Sequence, residues 1–270
     1  MHEMIGFLEA HSDVACVTLE RAQGSVPREE GAFMLVSDTA VLGTIGGGQL
    51  EYMAIDEARG LLASADEQSR TMDVPLGPDI GQCCGGRVGL ALKRMGAADK
   101  RALLKVEKAR LAAQPEVIIY GAGHVGRAMA RAFLPLPVRL KLVDTRAEEI
   151  VKAPAGVETF LTPLPEVEVK AASAGAAHIV ATHEHALDFI LASEALGRGD
   201  AAYVGMIGSK SKRAQFASWA EGDTNALVCP MAEANKGDRR PEVIAAFVVA
   251  EVMATLGAVV TGVSQGANNE

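Results

Sequence analysis

Hydrophobic and polar positions change their pattern near residue 115, and this change divides the chain into two predicted domains. Before it, apolar runs alternate with glycine-rich turns, a pattern typical of short strands. Strands are predicted at residues 14–21, 31–37, 40–47 and 86–95. Residues 49–64 carry apolar side chains at helical spacing, which predicts an amphipathic helix. We therefore expect a mixed α and β domain over residues 1–98.

Strands and helices alternate in the second part of the chain. Strands are predicted at residues 116–123, 138–146, 176–184 and 201–208, and helices at residues 124–136 and 186–199. This alternation is typical of a parallel sheet with helices on both faces. We expect a Rossmann-like doubly wound domain over residues 116–270, preceded by a polar, basic linker helix over residues 99–115. The predicted fold class is therefore α/β, with an N-terminal mixed α+β domain followed by a Rossmann-like domain.

One segment, residues 243–263, is long and apolar enough to be compared with a membrane span. Glu251 lies in its middle, where a charge is costly in a bilayer, and Pro241 and Glu242 open it like the first turn of a soluble helix. We expect a buried helix followed by a short strand or tail. Residues 1–13 contain acids and histidines instead of the basic start and apolar run of a signal peptide. These observations predict a cytoplasmic protein without membrane contact.

Composition narrows the classes of partner. The 270 residues include 26 basic and 34 acidic side chains, for a net charge of −8, and only 4% of the residues are aromatic. A negative protein is repelled by phosphate backbones, and few aromatic rings are present to stack on bases. We therefore expect no nucleic-acid partner.

Gly121, Gly123 and Gly126 form a GxGxxG motif that follows an apolar run and opens a predicted helix. Asp144 ends the next predicted strand. Strand, glycine turn, helix and terminal acid together are the pattern of a nucleotide site, in which the helix N-terminus faces phosphate and the acid holds ribose hydroxyls. The pattern predicts a phosphate-bearing ligand, either NAD(P), another nucleotide or a pterin phosphate. A Rossmann scaffold that binds something else, or nothing, stays the alternative.

Two further strand ends carry candidate ligand groups. His183 and His185 follow one predicted strand, where they could ligate a metal, donate to an oxyanion or move protons, or simply begin a helix. Ser209 and Lys210 follow a second glycine turn, which suits phosphate, although such cations are often only solvated. Ligands of open parallel sheets bind at the carboxyl ends of the strands. We therefore expect these residues at one edge of the sheet.

In the first domain, Gly46, Gly47 and Gly48 precede a predicted helix and could form an anion-binding nest. Glu51, one turn into that helix, could accept from the N–H edge of a heterocycle. Ordinary turns and a capped helix stay the alternative.

Cys83 and Cys84 stand side by side in a glycine-rich loop, and the other cysteines are Cys16 and Cys229. No CxxC pair is present, so a structural zinc site is not expected. A disulfide between neighbours is unusual, because their Cα atoms are about 3.8 Å apart and bridges normally span about 4.4–6.8 Å. Flexible glycine flanks and thiolates suit contact with a soft metal or sulfur chemistry. Two small buried residues in a turn stay the alternative.

Six stretches of the sequence occur together in an order that resembles the XdhC/CoxI family. They are GSVPREEGAFMLV, GTIGGGQLEYMAIDEA, LGPDIGQCCGGRV, VIIYGAGHVGRAMA, ATHEHALD and YVGMIGSKSKR. Together they cover nearly the whole chain, and their joint presence is highly specific. Residues 229–242, which read CPMAEANKGDRRPE, depart from the Pro-Ile-Gly-like loop of many relatives and inherit no role.

The resemblance implies a non-catalytic maturation factor. Such proteins bind the molybdenum cofactor (molybdopterin), protect it during sulfuration by a cysteine desulfurase, and deliver it to an apo-xanthine dehydrogenase-type molybdoenzyme. They are typically oligomeric, so a homodimer is expected. Cys83 and Cys84 become candidate molybdenum contacts, and His124 joins the cofactor-binding candidates. An NAD(P)-dependent oxidoreductase, or a scaffold that docks dehydrogenase and desulfurase without holding cofactor, are the rival functions.

Overall fold

The structure is a computed structural model, and it describes residues 2–77, 85–235 and 237–266. The chain forms two compact units, Met1–Arg110 (unit 1) and Leu111–Glu270 (unit 2). The division falls inside the predicted linker, and the predicted domain limits at residues 98 and 115 stay predictions.

Unit 1 contains a five-stranded antiparallel sheet with the strand order β3-β2-β1-β5-β4. Its strands are β1 (Ala15–Gln23), β2 (Phe33–Val36), β3 (Val41–Gly43), β4 (Ser69–Pro75) and β5 (Arg87–Arg94). Its helices are α1 (His2–Ala10), α2 (Gln49–Ala63) and α3 (Ala97–Ala112), the last of which runs into unit 2.

Helix α2 covers one face of this sheet. It buries Leu50, Ala54, Ala58 and Leu61, whose spacing of three and four residues places them on one side of a helix. They pack against Val17 and Leu19 of β1 and other buried residues of the sheet. The apolar pattern predicted these elements, but it missed α1 and β4. Strand β4 buries only Val74 because it lies at the edge of the sheet.

Unit 2 contains a six-stranded parallel sheet with the strand order β11-β10-β9-β6-β7-β8. Its strands are β6 (Glu116–Tyr120), β7 (Arg139–Asp144), β8 (Glu158–Leu161), β9 (Ala177–Val180), β10 (Tyr203–Met206) and β11 (Leu227–Val228). Its helices are α4 (His124–Phe133), α5 (Ala147–Ile150), α6 (Glu166–Ala171), α7 (His185–Gly197), α8 (Lys210–Trp219) and α9 (Pro241–Gly266). The predicted α/β class and Rossmann-like arrangement are confirmed.

Helices lie on both faces of the parallel sheet. Helices α4 and α9 cover one face, and α6, α7 and α8 contribute to the core on the other. The prediction of a strand or tail after the apolar helix was wrong, because α9 continues through Gly257 to Gly266. Glycine lowers helix stability by only about 1 kcal/mol, which the apolar packing of α9 outweighs. Among the described residues, none of the helices combines the length and apolar character needed to cross a membrane.

A buried polar pair lies in the middle of the sheet. The hydroxyl of Tyr120 on β6 is 3.0 Å from Nδ1 of His178 on the adjacent β9, and the two rings are stacked. Burial lowers the pKa of His178 to about 4, so the imidazole is neutral at physiological pH. The pair therefore belongs to the packed interior of the sheet.

Candidate functional site

Three glycine-containing loops converge at one end of the unit 1 sheet. Ser25 forms an isolated bridge with Gly85, and a side chain at Gly86 would lie 2.6 Å from the carbonyl oxygen of Gln23. A side chain at Gly46 would collide with Pro27, whose Cβ is 2.8 Å from that position. Close approach of the backbone at Gly86 and of the Pro27 ring at Gly46 therefore requires glycine at both positions. The loop of residues 23–27 touches the other two loops.

Cys83 and Cys84 lie outside the described residues, and Gly85 is the described residue that follows them in the sequence. The structure describes the residues on either side of this pair in the sequence, where the Leu76 N–H donates to the Gly86 carbonyl at 2.7 Å. Arg87, the cation nearest to them in sequence, forms a bidentate ion pair with Asp73 at 2.7 and 2.9 Å.

The predicted nest at residues 46–48 has an anion of its own. Gly46, Gly47 and Gly48 have φ values of 133°, 80° and 67°, which L side chains rarely adopt. The backbone N–H groups of Ile45, Gly46 and Gly47 donate to Oε1 of Glu51 at 2.9, 3.2 and 2.8 Å. The Thr44 hydroxyl donates to the same oxygen. The carboxylate of Glu51 thus occupies the nest.

Hydrogen bonds to the charged form set the acidity of Glu51. Burial alone would raise its pKa, but the bonds from Thr44 and from the backbone N–H groups of residues 45–47 hold it below its ordinary value. Glu51 is therefore ionised at neutral pH. The sequence identified the glycines and the acid as separate candidates, whereas the structure joins them in one contact.

The second group of candidates lies at the carboxyl edge of the unit 2 sheet. A side chain at Gly126 would overlap the Gly121 backbone, whose carbonyl carbon is 2.9 Å away, and one at Gly121 would overlap Ala181. Apart from Gly123 itself and its two neighbours in the chain, no described atom lies within 4 Å of the position that a side chain at Gly123 would take. These are the three roles that glycines play in a dinucleotide-binding turn: the tight turn, the open approach and the close helix packing.

Asp144 ends β7 beside this turn, and both oxygens of its carboxylate accept two hydrogen bonds each. Oδ2 accepts from Ala122 N–H at 2.6 Å and from Arg146 Nη2 at 3.0 Å, and Oδ1 accepts from Arg146 N–H at 2.9 Å and Nε at 3.0 Å. Burial alone would raise the pKa of Asp144, but these bonds keep it below its ordinary value. The sequence did not single out Arg146, although it follows Asp144 by two residues.

A shallow crevice of about 10 Å³, with room for no more than a water molecule, lies among several of these groups. Its lining includes Tyr120, Gly121, Val143, Asp144, Thr145, Pro165, Thr182, His183 and Leu187. The strand ends of β6, β7 and β9 thus bring Gly121, Asp144 and His183 together, as the topology predicts. His124, at the start of α4, and His185, at the start of α7, are exposed.

The loops after β9 and β10 are held by a buried ion pair that the sequence interpretation missed. Lys212 donates to Asp188 and to the Ile207 carbonyl, and Asp188 also accepts from the N–H and hydroxyl of Thr182 at 3.0 and 2.6 Å. The Lys212 and Asp188 side chains are only 10% and 2% exposed. Lys212 is therefore a structural cation.

The predicted phosphate residues after β10 have other partners. The Ser209 hydroxyl caps α8 by accepting from Lys212 N–H at 3.2 Å, and exposed Lys210 pairs with Glu233 at 2.7 Å. Over residues 2–77, 85–235 and 237–266, no group of three or more His, Cys, Asp or Glu side chains could hold a metal ion.

Comparison with known proteins agrees with this geometry. Residues 117–252, half of the chain, match the XdhC Rossmann domain, and residues 7–74 match the XdhC and CoxI family. The uncharacterized protein YqeB of Escherichia coli (strain K12) is 26% identical over 146 residues, 53% of this chain but only 24% of that protein.

A crystal structure from Bacillus halodurans, described as a xanthine dehydrogenase, superposes with a TM-score of 0.75 at 17% identity. The superposition covers 94% of this chain and 96% of the other, and at this identity it shows a shared fold. The family matches identify the chain more closely: it belongs to the XdhC and CoxI family.

Proposed function

We propose that this protein is a maturation factor that binds the molybdenum cofactor as cargo, protects it during sulfuration and delivers it to a xanthine dehydrogenase-type molybdoenzyme. Membership of the XdhC and CoxI family indicates an accessory role. The cargo, the desulfurase that supplies sulfur, the apo-enzyme that receives the cofactor and a homodimeric state are all parts of the proposal.

The observation that carries the proposal is the convergence of loops 23–27, 44–48 and 85–86 in unit 1. Glycine contacts lock these loops together, and Cys83 and Cys84 directly precede the third loop in the sequence. Thiolates are suited to a soft metal, which they can hold and release. The proposed role of Cys83 and Cys84 is therefore to contact molybdenum or to receive sulfur.

Glu51 changes which part of the cargo we assign to unit 1. Because its carboxylate already fills the nest at residues 46–48, we do not place an anionic group of the cargo there. Glu51 acts instead as a positioning residue that fixes the turn next to Pro27 and so shapes the wall of the loop cluster.

Cofactor retention under anaerobic conditions tests the proposal. Cofactor released from a donor molybdoenzyme is mixed with the full chain, unbound material is removed by filtration, and molybdenum and pterin are quantified per chain. We expect near-stoichiometric retention of both. Cys83→Ala and Cys84→Ala are expected to lower molybdenum retention about tenfold or more, and Cys16→Ala, a cysteine within β1, is the matched control.

The outcomes separate the rival functions. Retention no higher than that of an unrelated protein would exclude a carrier, and capture of desulfurase and apo-enzyme without molybdenum would indicate a docking scaffold. Saturable nicotinamide binding with turnover would indicate an oxidoreductase. Retention that is unchanged in both cysteine variants would leave a carrier in place but contradict the role of the thiols.

A further inference from the structure

We propose that a groove in unit 1, on the face of the sheet opposite α2, binds the pterin part of the cargo. This inference rests on the proposed function, because the pterin enters as part of the molybdenum cofactor. Three features of the described residues carry it. They are a groove with apolar walls, a largely buried carboxylate that can accept further hydrogen bonds, and an unpaired cation at the end that adjoins the loops of residues 23–27 and 44–48.

The groove lies along the edge of the sheet that β2 and β3 form. Leu35 and Leu42 are paired across these strands, and Phe33 lies two residues from Leu35, so all three side chains project from one face. Helix α1 packs on this face but leaves a groove of about 380 Å³, with Met4 among its lining residues. Sites for small ligands have volumes of about 300–1,000 Å³ and mostly apolar walls. A flat two-ring heterocycle therefore has room in this groove.

Glu107 of α3 brings a carboxylate into the groove. Its side chain is only 16% exposed, and Oε1 and Oε2 each accept one N–H of Arg110 at 2.7 Å. These bonds hold the pKa of Glu107 below its ordinary value, so the carboxylate is ionised at neutral pH. A carboxylate can accept about four hydrogen bonds. Within the described part of the chain, each oxygen of Glu107 can therefore accept one more.

The edge of a pterin ring carries the complementary groups. Its 2-amino group and N3–H are donors, and its 4-oxo oxygen is an acceptor. Glu107 can accept from the amino group, and Nη1 of Arg110, which has no acceptor among the described residues, can donate to the 4-oxo oxygen. Guanine has the same edge. A ring with oxygen in place of the 2-amino group would instead bring an acceptor against the carboxylate, which is unfavourable.

Arg28 places a positive charge where the groove meets the loops that we assign to the cargo. It lines the groove together with Thr44, and its Cγ is 3.8 Å from the position that a side chain at Gly46 would take. Arg28 is exposed and forms no ion pair with a described residue. The planar guanidinium group matches the oxygens of a phosphate. Arg28 is therefore the partner that we assign to the phosphate of the pterin.

Titration of the full chain with fluorescent pteridines tests the assignment. We expect pterin to bind about tenfold or more tightly than lumazine, which has oxygen at position 2, because lumazine loses a hydrogen bond to a charged acceptor. Neopterin monophosphate should bind about fivefold more tightly than neopterin, since it adds a contact with an exposed cation. Competition with GMP separates the two sources of the ring edge. Equal affinity for pterin and lumazine, no binding of neopterin monophosphate at millimolar concentration, or tighter binding of GMP would overturn the assignment.

Two variants locate the contacts in the groove. Glu107→Gln is expected to bring the ratio of pterin to lumazine affinity close to one, whereas Glu9→Gln, at an exposed glutamate of α1, leaves the ratio unchanged. Arg28→Ala should abolish the preference for neopterin monophosphate over neopterin, and Arg101→Ala, at an exposed arginine of α3, should retain it. An unchanged ratio in Glu107→Gln would overturn the assignment of the ring edge. An unchanged phosphate preference in Arg28→Ala would overturn that of the phosphate.

The groove and the carrier role can fail separately. Binding of the pteridines with both preferences, without retention of molybdenum, would support the groove as a pterin site and contradict the carrier role. Cofactor retention that is unchanged in Glu107→Gln and Arg28→Ala would leave the carrier role in place and overturn the assignment of the pterin to the groove.

Discussion

Two glycine-rich turns open helices α2 and α4, and they differ in what occupies them. In unit 1, the N–H groups of residues 45–47 converge on Glu51, a residue of the helix that the turn opens. In unit 2, the turn gives one N–H, that of Ala122, to Asp144 of the neighbouring strand. The other side of this turn, at Gly123, faces open space.

The difference separates a nest that is filled from a turn that precedes an uncapped helix N-terminus. A nest with an internal carboxylate is complete in itself, because a second anion would have to displace the first against its charge. A turn whose helix N-terminus is uncapped still offers donors to an external anion. Similar glycine patterns in the sequence therefore form a nest filled by an internal carboxylate in unit 1 and a turn before an uncapped helix N-terminus in unit 2.

The largest effect is expected from Lys212→Met, which removes the buried ion pair with Asp188 that joins the loops after β9 and β10. Removal of one partner leaves the Asp188 carboxylate buried without its cation, so the free energy of unfolding should fall by about 3–5 kcal/mol. Urea unfolding followed by the fluorescence of Trp219, the single tryptophan, measures this change. In the control Lys210→Met the exposed pair with Glu233 is lost instead, which should change stability little because solvent screens it, and equal losses in the two variants would contradict the prediction.

Next in size is Gly126→Ala, which tests whether the unit 2 turn is as tightly built as its geometry indicates. The added methyl group overlaps the Gly121 backbone, so the free energy of unfolding should fall by about 3 kcal/mol. Gly123→Ala should cost less than about 1 kcal/mol, because that position is open and its φ of −66° is ordinary. The same urea titration compares the two, and similar losses would show that the turn is not open at Gly123.

Glu51→Ala removes the carboxylate that occupies the unit 1 nest. Loss of the acceptor leaves several partly buried N–H groups to water, and we expect a loss of about 2 kcal/mol in unit 1 stability, measured by differential scanning calorimetry. Added sulfate should stabilise the variant more than the unmodified chain, because sulfate can occupy the nest only when Glu51 is absent. Equal stabilisation of both proteins by sulfate would break the distinction between the two turns.

The smallest effect concerns the pH dependence of Glu51. Its pKa in the folded chain is lowered, so the charged carboxylate contributes stability that is fully present above the unfolded pKa of about 4.3 and is lost as pH falls through the folded value. The difference in unfolding free energy between the unmodified chain and Glu51→Gln should be about 1 kcal/mol at pH 7 and shrink below pH 4. A difference that is constant with pH would show that charge plays no part in the nest.

Periodicity alone was sufficient for most of the fold. The alternation of buried strands and helices after residue 115 predicted the parallel sheet, and with it the meeting of Gly121, Asp144 and His183 at one edge. It missed β4, whose edge position leaves one buried residue, and β8, whose pattern is equally exposed. Strands without a buried face carry little hydrophobic signal.

The sequence did not predict which groups the charged side chains contact. No contact is predicted by the spacing of Glu51 and the glycines before it, or by that of Lys212 and Asp188. Only the folded chain brings their atoms into contact. A lysine in a cluster of cations resembles a phosphate ligand until its burial is known. The sequence thus identified the turns but not their occupants.

The position of α9 in the chain has a consequence for biosynthesis. This helix follows every strand of the sheet that it covers, and it supplies Ala245, Val248, Val249, Val252 and Leu256 to the core shared with α4. While the chain has left the ribosome only up to residue 240, one face of the sheet is only partly covered and its apolar surface is exposed to other nascent chains. Unit 2 therefore completes its core only after residue 256 has emerged, and premature termination before residue 241 would yield a fragment prone to aggregation.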